Sequence, residues 1–337
     1  MNEPTVLVIG GGKFVGRHIV ARLLAEGYKT TMLTRGISPN PFEGLVESLK
    51  CDREDVATFD TLLYRRGFDY VIDVVSFTAD HARHAAEFFF GRTSRFIHIS
   101  SAAVYLLNDD RLNPFREDDA PASIEGLKPI GGMAEYGLHK RAGELEIEKA
   151  ISEKGFPAVI FRPAVISGPY DYTQRDYGYI KRVIDGGPIL LPLENRGCHR
   201  HTSVADVVDA VMLGLTSKDA PGKIFNITSY TILSMPDYLS IIARALDTKA
   251  DIIYMPHGAL KADLGSNYSP FAYARDFIQD VFRARCVIGF KPSRADIWLA
   301  DLAHYYAEEY KGDPPEEYVK RREKELALAK KMKGAGA

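Results

Sequence analysis

Short apolar runs alternate with amphipathic stretches through the first half of the chain. The first run, Thr5–Ile9, is rich in β-branched residues and continuously apolar, which is typical of a strand buried on both faces. Glycines follow, and then apolar residues at helical spacing from Val15 to Leu24 predict a helix with one buried face. The same pattern recurs further along. It predicts further strands at Thr30–Leu33, Val46–Cys51, Tyr70–Val75, Arg95–Ser100, Ala158–Phe161 and Ile224–Thr228.

Alternating strands and helices predict a parallel sheet with right-handed crossovers, a doubly wound α/β fold. Residues 167–200 are rich in Gly, Pro, Tyr and Arg, which is typical of loops that line a cleft. From about residue 231 the pattern is mostly helical. We predict a first domain over 1–166 plus about 204–230, and a smaller second domain over 167–203 and 231–313. Residues 314–337 are expected to form a charged, solvated tail.

The charge balance and the cysteine content disfavour several classes of protein. The chain has 337 residues, with Lys+Arg 43 against Asp+Glu 45, so no basic excess points to nucleic acid or to an anionic membrane. Its three cysteines do not make a disulfide framework, and no apolar run approaches the roughly 20 residues that cross a bilayer. No signal peptide is visible. We expect a cytoplasmic protein with no membrane partner and no nucleic-acid partner.

One short segment could suggest a metal site. Cys198-His-Arg-His201 brings three potential ligands close together in sequence. Adjacent residues of an extended segment point to opposite sides, and no second pair of ligands lies nearby in the sequence. We therefore expect no bound metal.

A glycine-rich turn, Gly10-Gly-Gly-Lys-Phe-Val-Gly16, joins the first predicted strand to the first predicted helix. Backbone N–H groups of such a turn approach the pyrophosphate of a dinucleotide, and the positive end of the helix dipole faces the phosphates. The strand before the turn and the helix after it are the context that this motif requires. The predicted cofactor-binding residues are Gly10, Gly12, Lys13, Phe14, Val15 and Gly16.

The residue after the second strand distinguishes NAD from NADP. A carboxylate there would bind the ribose 2′-hydroxyl of NAD, but the sequence has Thr34-Arg35-Gly36. Because arginine suits a phosphate, NADP is favoured, with NAD as the alternative and Lys13 as a second positive contact. After the third strand, Asp52 is placed near the adenine amine, and Arg53 is included in the same site.

Tyr136 and Lys140 are four residues apart and share one face of a predicted helix. An ammonium near a phenol lowers the pKa of the tyrosine, so that the phenol can exchange a proton near neutral pH. The fifth predicted strand ends in Ser100-Ser101, and a serine hydroxyl at a strand end can orient a substrate oxygen. The three residue types together predict acid–base chemistry on a hydroxyl or a carbonyl group.

In combination these motifs resemble those of the extended short-chain dehydrogenase/reductases, the NAD-dependent epimerase/dehydratase family. The resemblance covers nearly the whole chain. It includes the glycine turn, Ile99–Tyr105, the Tyr136 and Lys140 pair, Phe161–Pro169, His201–Asp206 and Gly289–Pro292. It implies a Rossmann sheet with a mostly helical substrate domain. It also implies hydride transfer between nicotinamide and a hydroxyl or ketone of a sugar-nucleotide-like substrate.

The resemblance also implies residue roles. Tyr136 would be the general acid and base, Lys140 would hold the nicotinamide ribose, and Ser101 rather than Ser100 would contact the substrate oxygen. Cofactor contacts are implied at Val75 and Ser76 on the adenosine side and at Pro163 and Val165 on the nicotinamide side. Substrate contacts are expected from Tyr177, Arg182 and Arg200. The family often dimerises through the helix that carries Tyr136, so a homodimer is expected.

Three departures from the family pattern leave alternatives open. Lys13 replaces the usual central glycine, and a basic residue followed by Phe14 is similar to the branch that contains the chloroplast stem-loop RNA-binding proteins. Ala102-Ala103 stands where sugar 4,6-dehydratases carry an acidic pair, which disfavours that reaction. Arg35 favours a reductase. The alternatives are an NADPH-dependent reductase of a non-sugar carbonyl, and an RNA-binding protein on the same fold.

Overall fold

The computed structural model describes residues 3–108, 113–129, 131–265 and 268–335. The strands are β1 (Thr5–Ile9), β2 (Lys29–Thr34), β3 (Glu47–Lys50), β4 (Tyr70–Asp73), β5 (Arg95–Ile99), β6 (Ala158–Pro163), β7 (Val165–Ser167), β8 (Ile189–Pro192), β9 (His201–Ser203), β10 (Ile224–Ile227) and β11 (Ile252–Met255). The helices are α1 (Phe14–Ala25), α2 (Val56–Leu63), α3 (Ala79–Phe89), α4 (Gly132–Lys154), α5 (Arg175–Ile184), α6 (Val204–Thr216), α7 (Met235–Ala245), α8 (His257–Leu264), α9 (Phe282–Ile288), α10 (Ala295–His304) and α11 (Glu316–Ala335). Short 3₁₀ segments lie at Ala102–Leu107 and Glu117–Asp119.

In the described part of the chain, seven parallel strands form the central sheet in the order β10-β6-β5-β4-β1-β2-β3. The chain turns from one half of the sheet to the other between β1 and β4. Doubly wound sheets bind ligands at the carboxyl ends of their strands at such a point. The parallel, doubly wound sheet predicted from the alternation of strands and helices is confirmed.

Both faces of the sheet are covered by helices. In β1, Val6 and Val8 pack into the core that contains residues of α1, α6 and α9. Leu7 and Ile9 pack into the core that contains residues of α2, α3 and α4. All four side chains are fully buried, which explains why the strand is continuously apolar rather than alternating.

The chain divides into two compact units. The first comprises Met1–Ile166, Thr202–Thr228 and Gln279–Pro292, and the second comprises Ser167–His201, Ser229–Ile278 and Ser293–Ala337. The sequence analysis had assigned residues 279–292 to the second domain. They belong to the first unit because Ala284 and Ile288 of α9 are buried in the core beneath the sheet.

The C-terminal helix α11 was expected to be a solvated tail, and most of its described residues are exposed, but one face of the helix is buried. Arg322 and Glu325 are buried and bond to each other at 2.7 Å. Arg322 also bonds to Asp185 at 2.8 Å, and Glu325 accepts from the backbone N–H of Leu190 at 2.8 Å. A composition-based prediction places such charged residues in solvent, but the charges of Arg322 and Glu325 have partners within the second unit.

None of the helices in the described ranges combines the length and apolar character that a membrane crossing needs.

A buried ion pair joins α4 to the central sheet. Arg162 of β6 and Glu144 of α4 are 1% and 0% exposed, and the two nitrogens Nε and Nη2 of Arg162 each donate to a different carboxylate oxygen at 2.8 Å. Arg141 adds a further bond to Glu144 at 2.8 Å. Burial acts to raise the pKa of Glu144, but the guanidinium groups of Arg162 and Arg141 hold it at about 2. The carboxylate therefore stays charged inside the protein.

The third guanidinium nitrogen of Arg162, Nη1, connects this pair to other elements of the first unit. Nη1 donates to the hydroxyl of Tyr105 at 3.0 Å and to the carbonyl of Glu117 at 2.6 Å. The Tyr105 hydroxyl donates to Asn226 of β10 at 2.6 Å. The backbone N–H of Asn226 donates to the Glu117 carboxylate at 2.8 Å. One network thus fixes α4 against β6, β10 and the segment that follows β5.

Removing one member of the pair should destabilise the protein more than removing both. Arg162→Met leaves the Glu144 carboxylate buried with one partner fewer, and we expect a loss of roughly 3–5 kcal/mol in the free energy of unfolding. The double variant Glu144→Leu with Arg162→Met should recover most of that loss, measured by urea unfolding. A double variant as unstable as the sum of its single variants would contradict this account.

Candidate active site

A pocket of about 720 Å³ lies in the first unit at the carboxyl ends of β1, β2 and β3. Its lining includes many residues that the sequence assigned to a cofactor. They are Gly10, Gly12, Lys13, Arg35, Asp52, Arg53 and Val75. Residues from four separate stretches of sequence therefore meet at one edge of the sheet, as expected for a ligand site in a doubly wound fold.

The glycine turn fits a dinucleotide. Gly10 has a φ of +95°, and a side chain there would clash with Val75. A side chain on Gly16 would clash with the carbonyl of Gly10. At Gly12 only the Thr34 methyl carbon lies near, at 3.7 Å, so packing within the protein does not require a glycine. Because Gly12 lines the pocket, its bare backbone faces the space that a pyrophosphate would occupy.

The residues after Gly12 support the turn in two ways. Lys13 has φ −133° and ψ 155°, which is extended backbone that any residue adopts, and this explains how lysine replaces the usual central glycine. Phe14, Val15 and Gly16 are buried at the start of α1. Phe14 has a φ of +32°, which is uncommon outside glycine. These three residues are part of the packing beneath the glycine turn, whereas Lys13 lines the pocket.

Arg53 forms part of the pocket wall, but an internal carboxylate neutralises its charge. Its Nη1 donates to both oxygens of Asp73, at 2.8 and 3.0 Å, and its Nη2 donates to the carbonyl of His81 at 3.1 Å. Asp73 is fully buried at the end of β4. The Arg53 guanidinium therefore connects the loop after β3 to the end of β4 and to the start of α3. Asp52, beside it, accepts from the backbone N–H of Glu54 at 3.2 Å and lines the pocket.

The sequence analysis missed His81, which also lines the pocket. Its Nδ1 accepts from the backbone N–H of Phe77 at 3.3 Å, and its Nε2 lies 2.6 Å from a carboxylate oxygen of Glu54. The ring thus joins the loop after β4 to the loop after β3. Only the helix cap at Thr78, three residues earlier, marked this place in the sequence.

Lys140 bridges the ends of two strands. It is 2% exposed, and its Nζ donates to the carbonyl of Ser76 at 2.7 Å and to that of Ile99 at 2.6 Å. Two of its three N–H donors are thereby used, and one is left for a ligand. Burial lowers the pKa of Lys140 to about 8, although the carboxylates of Asp73 and Glu144 oppose that effect. Ser76 contributes to the site through its carbonyl.

The residues next to Tyr136 and Ser101 pack closely against each other. A side chain on Gly137 would clash with the carbonyl of Ala103, so α4 lies against the segment that begins at Ser101. Ser101 is half-buried and caps that segment by accepting from the Ala103 N–H at 3.1 Å, whereas Ser100 is buried. Tyr136 is half-buried on the turn of α4 next to this contact. Ser101 is thus the more accessible of the two serines, and its role stays a prediction.

The segment assigned to the nicotinamide end follows β6. Pro163 is the last residue of β6 and pairs with Ile227 of β10. The next residue, Ala164, donates its N–H to the carbonyl of Ile227 at 3.0 Å. Pro163 is buried and Val165 is half-buried, so this stretch is held rigidly by the edge strand.

Two of the predicted substrate contacts need correction. Tyr177 is 1% exposed and packs against Tyr306 and Tyr310 of the second unit. Arg182 is buried, stacks on Tyr179 and donates to Glu325 at 3.2 Å. Both side chains therefore stabilise the interior of that unit instead of facing a substrate. The third predicted contact, Arg200, is half-buried.

A Ser-His-Asp cluster in the second unit has the wrong geometry for a nucleophile. Ser167 bonds to both Asp176 and the ring of His201 at 3.1 Å, and the hydroxyl of Tyr238 donates to Asp176 at 2.6 Å. The carboxylate contacts the serine rather than orienting the histidine, and Ser167 is fully buried. His199 lies 4.7 Å from His201, ring to ring, but within the described ranges no three metal-ligating side chains meet.

Two known proteins are similar to this chain in sequence. A chloroplast stem-loop binding protein of 41 kDa from Arabidopsis thaliana is 27% identical over 86% of this chain and 76% of its own. A dTDP-6-deoxy-L-talose 4-dehydrogenase (NAD(P)(+)) from Kitasatospora kifunensis is 23% identical over 64% of this chain and 71% of its own.

Solved structures share the fold. The structure of UDP-glucuronic acid 4-epimerase from Bacillus cereus in complex with NAD has a TM-score of 0.70 and 20% identity, covering 92% of this chain and 98% of its own. The model of the NAD dependent epimerase/dehydratase family matches residues 6–228, which include the glycine turn, Ser101, Tyr136 and Lys140. The chain belongs to the NAD dependent epimerase/dehydratase family.

Proposed function

We propose that the protein is an NAD(P)-dependent epimerase or reductase that acts on a hydroxyl or ketone of a sugar-nucleotide-like substrate. The observation that carries this proposal is the position of Lys140, whose ammonium bridges the ends of β4 and β5 while Gly137 packs α4 against the segment after Ser101. Two of the matched proteins are named for acting on nucleotide sugars, which supports the substrate class.

We propose that the pocket holds the adenosine and pyrophosphate end of the cofactor. Gly10, Gly12 and Lys13 would bind the phosphates, and Asp52 would accept from the adenine amine. Arg35 stands where NAD-specific proteins place a carboxylate, so NADP is favoured and NAD is the alternative. When bound, the nicotinamide supplies the donor or acceptor of a hydride. Pro163 and Val165 would lie beside that ring.

Tyr136 would move the proton. Its hydroxyl would give a proton to a substrate carbonyl oxygen or take one from a substrate hydroxyl, while the Ser101 hydroxyl holds the same oxygen. Ala102 and Ala103 are buried and carry no acid or base, so they offer nothing for the elimination of water. The arrangement therefore favours proton transfer at one oxygen over a 4,6-dehydration.

Lys140 would position the ribose and keep positive charge near Tyr136. With a pKa of about 8, most Lys140 side chains are charged at neutral pH. An ammonium at this place favours the phenolate form of a nearby tyrosine. Its two bonds to strand carbonyls fix its position, so the third donor is already oriented when a ligand arrives.

One observation favours a second candidate function. The matched Arabidopsis protein is named for binding a stem-loop, and it matches 86% of this chain. An RNA-binding protein on the same fold would have no need of Tyr136, Lys140 and Ser101 together. A reductase of a non-sugar carbonyl would use the same three residues, and it would differ in the substrate that it binds. A homodimer and a cytoplasmic location remain predictions.

The cofactor that is released from the purified protein separates these candidates. We expect denaturation to release NADP, or the empty protein to bind NADPH more tightly than NADH, measured by mass spectrometry and calorimetry. Stoichiometric NAD would instead indicate an epimerase with a tightly held cofactor and would contradict the role given to Arg35. Absence of any dinucleotide binding would favour the RNA-binding candidate.

Tyr136→Phe should abolish turnover without removing the cofactor. Loss of the proton donor should lower kcat by at least about a hundredfold, since general acid–base catalysis contributes about that much or more. Binding of NADPH should be nearly unchanged. Tyr64→Phe, at an exposed tyrosine of the same unit, is the matched control and should keep full activity. Full turnover by Tyr136→Phe would refute the acid–base role.

The charge of Lys140 should be visible in the pH dependence of stability. The pKa of Lys140 is about 8 in the folded protein and 10.5 is its ordinary value, so the unfolded chain holds more protons between those pH values. The wild type should therefore gain stability over Lys140→Met as pH rises from 8 to 10.5, by on the order of 3 kcal/mol.

Urea unfolding at several pH values measures this difference. Lys149→Met, at an exposed position of α4, is the matched control and should follow the wild type at every pH. A constant difference between the wild type and Lys140→Met would show that the ammonium is not destabilised by burial.

A further inference from the structure

Lys50 is a second cation beside Arg35. It is the last residue of β3, and its Cα pairs with that of Thr34, the last residue of β2. The N–H of Cys51 donates to the carbonyl of Thr34 at 2.9 Å and continues this pairing. Lys50 therefore lies across the strand ends from the residue that precedes Arg35, and both side chains line the 720 Å³ pocket.

The turn at Gly36 holds the Lys50 side chain in place. Gly36 has a φ of +69°, and its N–H donates to the Thr34 hydroxyl at 3.3 Å. A Cβ on Gly36 would lie 2.7, 2.8 and 2.9 Å from Cε, Cδ and Cγ of Lys50. The apolar stem thus lies flat against the bare backbone of Gly36. This contact keeps the ammonium on the turn that carries the Arg35 guanidinium, although Lys50 is exposed.

The two cations have no ion-pair partner in the part of the chain that the structure describes. Neither Arg35 nor Lys50 forms an ion pair among the residues that the structure describes. Three acidic residues also line the pocket. Glu54 bonds to the ring of His81 at 2.6 Å and Asp52 accepts from a backbone N–H, while Glu43 is exposed and forms no ion pair with either cation among the described residues. Two cations that line the same pocket favour an anion in it. The arrangement is complementary to a small dianion.

We propose that Lys50 and Arg35 together bind the 2′-phosphate of NADP(H), and that Lys50 is a specificity-determining residue of this pocket. The inference rests on the proposed function, in which the pocket takes a dinucleotide. A phosphate monoester carries nearly two negative charges and accepts several hydrogen bonds, which two cations can satisfy. A ribose 2′-hydroxyl has no charge to attract them. Lys50 therefore contributes to binding of NADP(H) and not of NAD(H).

The test compares two fragments that differ only in this phosphate. Adenosine 2′,5′-bisphosphate and AMP are titrated by calorimetry into the full chain, without any substrate. Lys50→Met keeps an apolar stem over Gly36 and removes the charge. We expect it to weaken binding of the bisphosphate about tenfold and to leave AMP within about twofold, since a charge-assisted contact is lost only in the first case. The same contrast is expected between NADPH and NADH.

Two further variants serve as controls. Lys29→Met removes an exposed lysine at the other end of β2, outside this pocket, and should change neither fragment. Lys50→Arg retains the charge and should keep most of the affinity for the bisphosphate. Unfolding temperatures within a few degrees of the wild type verify that the fold is intact.

The outcomes separate this inference from the proposed function. If the wild type prefers NADPH and Lys50→Met loses that preference, the inference is supported. If the wild type prefers NADPH but Lys50→Met binds both fragments as before, the inference is overturned and the proposed function stands. A wild type that prefers NADH overturns the inference and leaves an NAD-dependent enzyme. A wild type that binds no dinucleotide overturns both.

Discussion

The buried pair of Arg162 and Glu144 is the interaction on which the candidate site depends. Removing two charges from water is costly, and the pair is stable only because every donor and acceptor in it finds a partner. Those partners are Arg141 of α4, the Tyr105 hydroxyl and the Glu117 carbonyl, and Tyr105 in turn bonds to Asn226 of β10. The network therefore fixes how α4 lies on the sheet, and α4 carries both Tyr136 and Lys140.

The charged side chains around the pocket of the first unit differ in how they are paired. Asp73 pairs with Arg53 in the pocket wall, so the charge of this guanidinium is balanced inside the protein. Lys140 is bound to two carbonyls, and burial lowers its pKa. Arg35 and Lys50 line the pocket and form no ion pair among the residues that the structure describes. The cations Arg53 and Lys140, by contrast, have partners inside the protein.

Much of the fold and part of the site could be predicted from local patterns. The inner strands β1, β4, β5 and β6 are mostly apolar and buried, because helices cover both of their faces. The edge strand β3 is polar, and three of its four residues are exposed. The glycine turn is readable because it needs small residues at fixed spacing between a strand and a helix. Tyr136 and Lys140 are readable because helical spacing alone places them on one face. By contrast, His81 and Lys50 carry no such local signal.

The sequence by itself determined the order of the strands of the central sheet, the glycine turn and the placing of Tyr136 and Lys140 on one helix, since these depend on periodicity and short spacing. Only the tertiary structure decided which charges are buried. Arg182 was expected to contact a substrate and Arg322 to lie in a solvated tail, yet both are buried and pair with acids that are far away along the chain. Likewise, Lys50 becomes part of the pocket only because β3 lies beside β2. Long-range pairing sets the solvation of a charged side chain, and local sequence does not encode it.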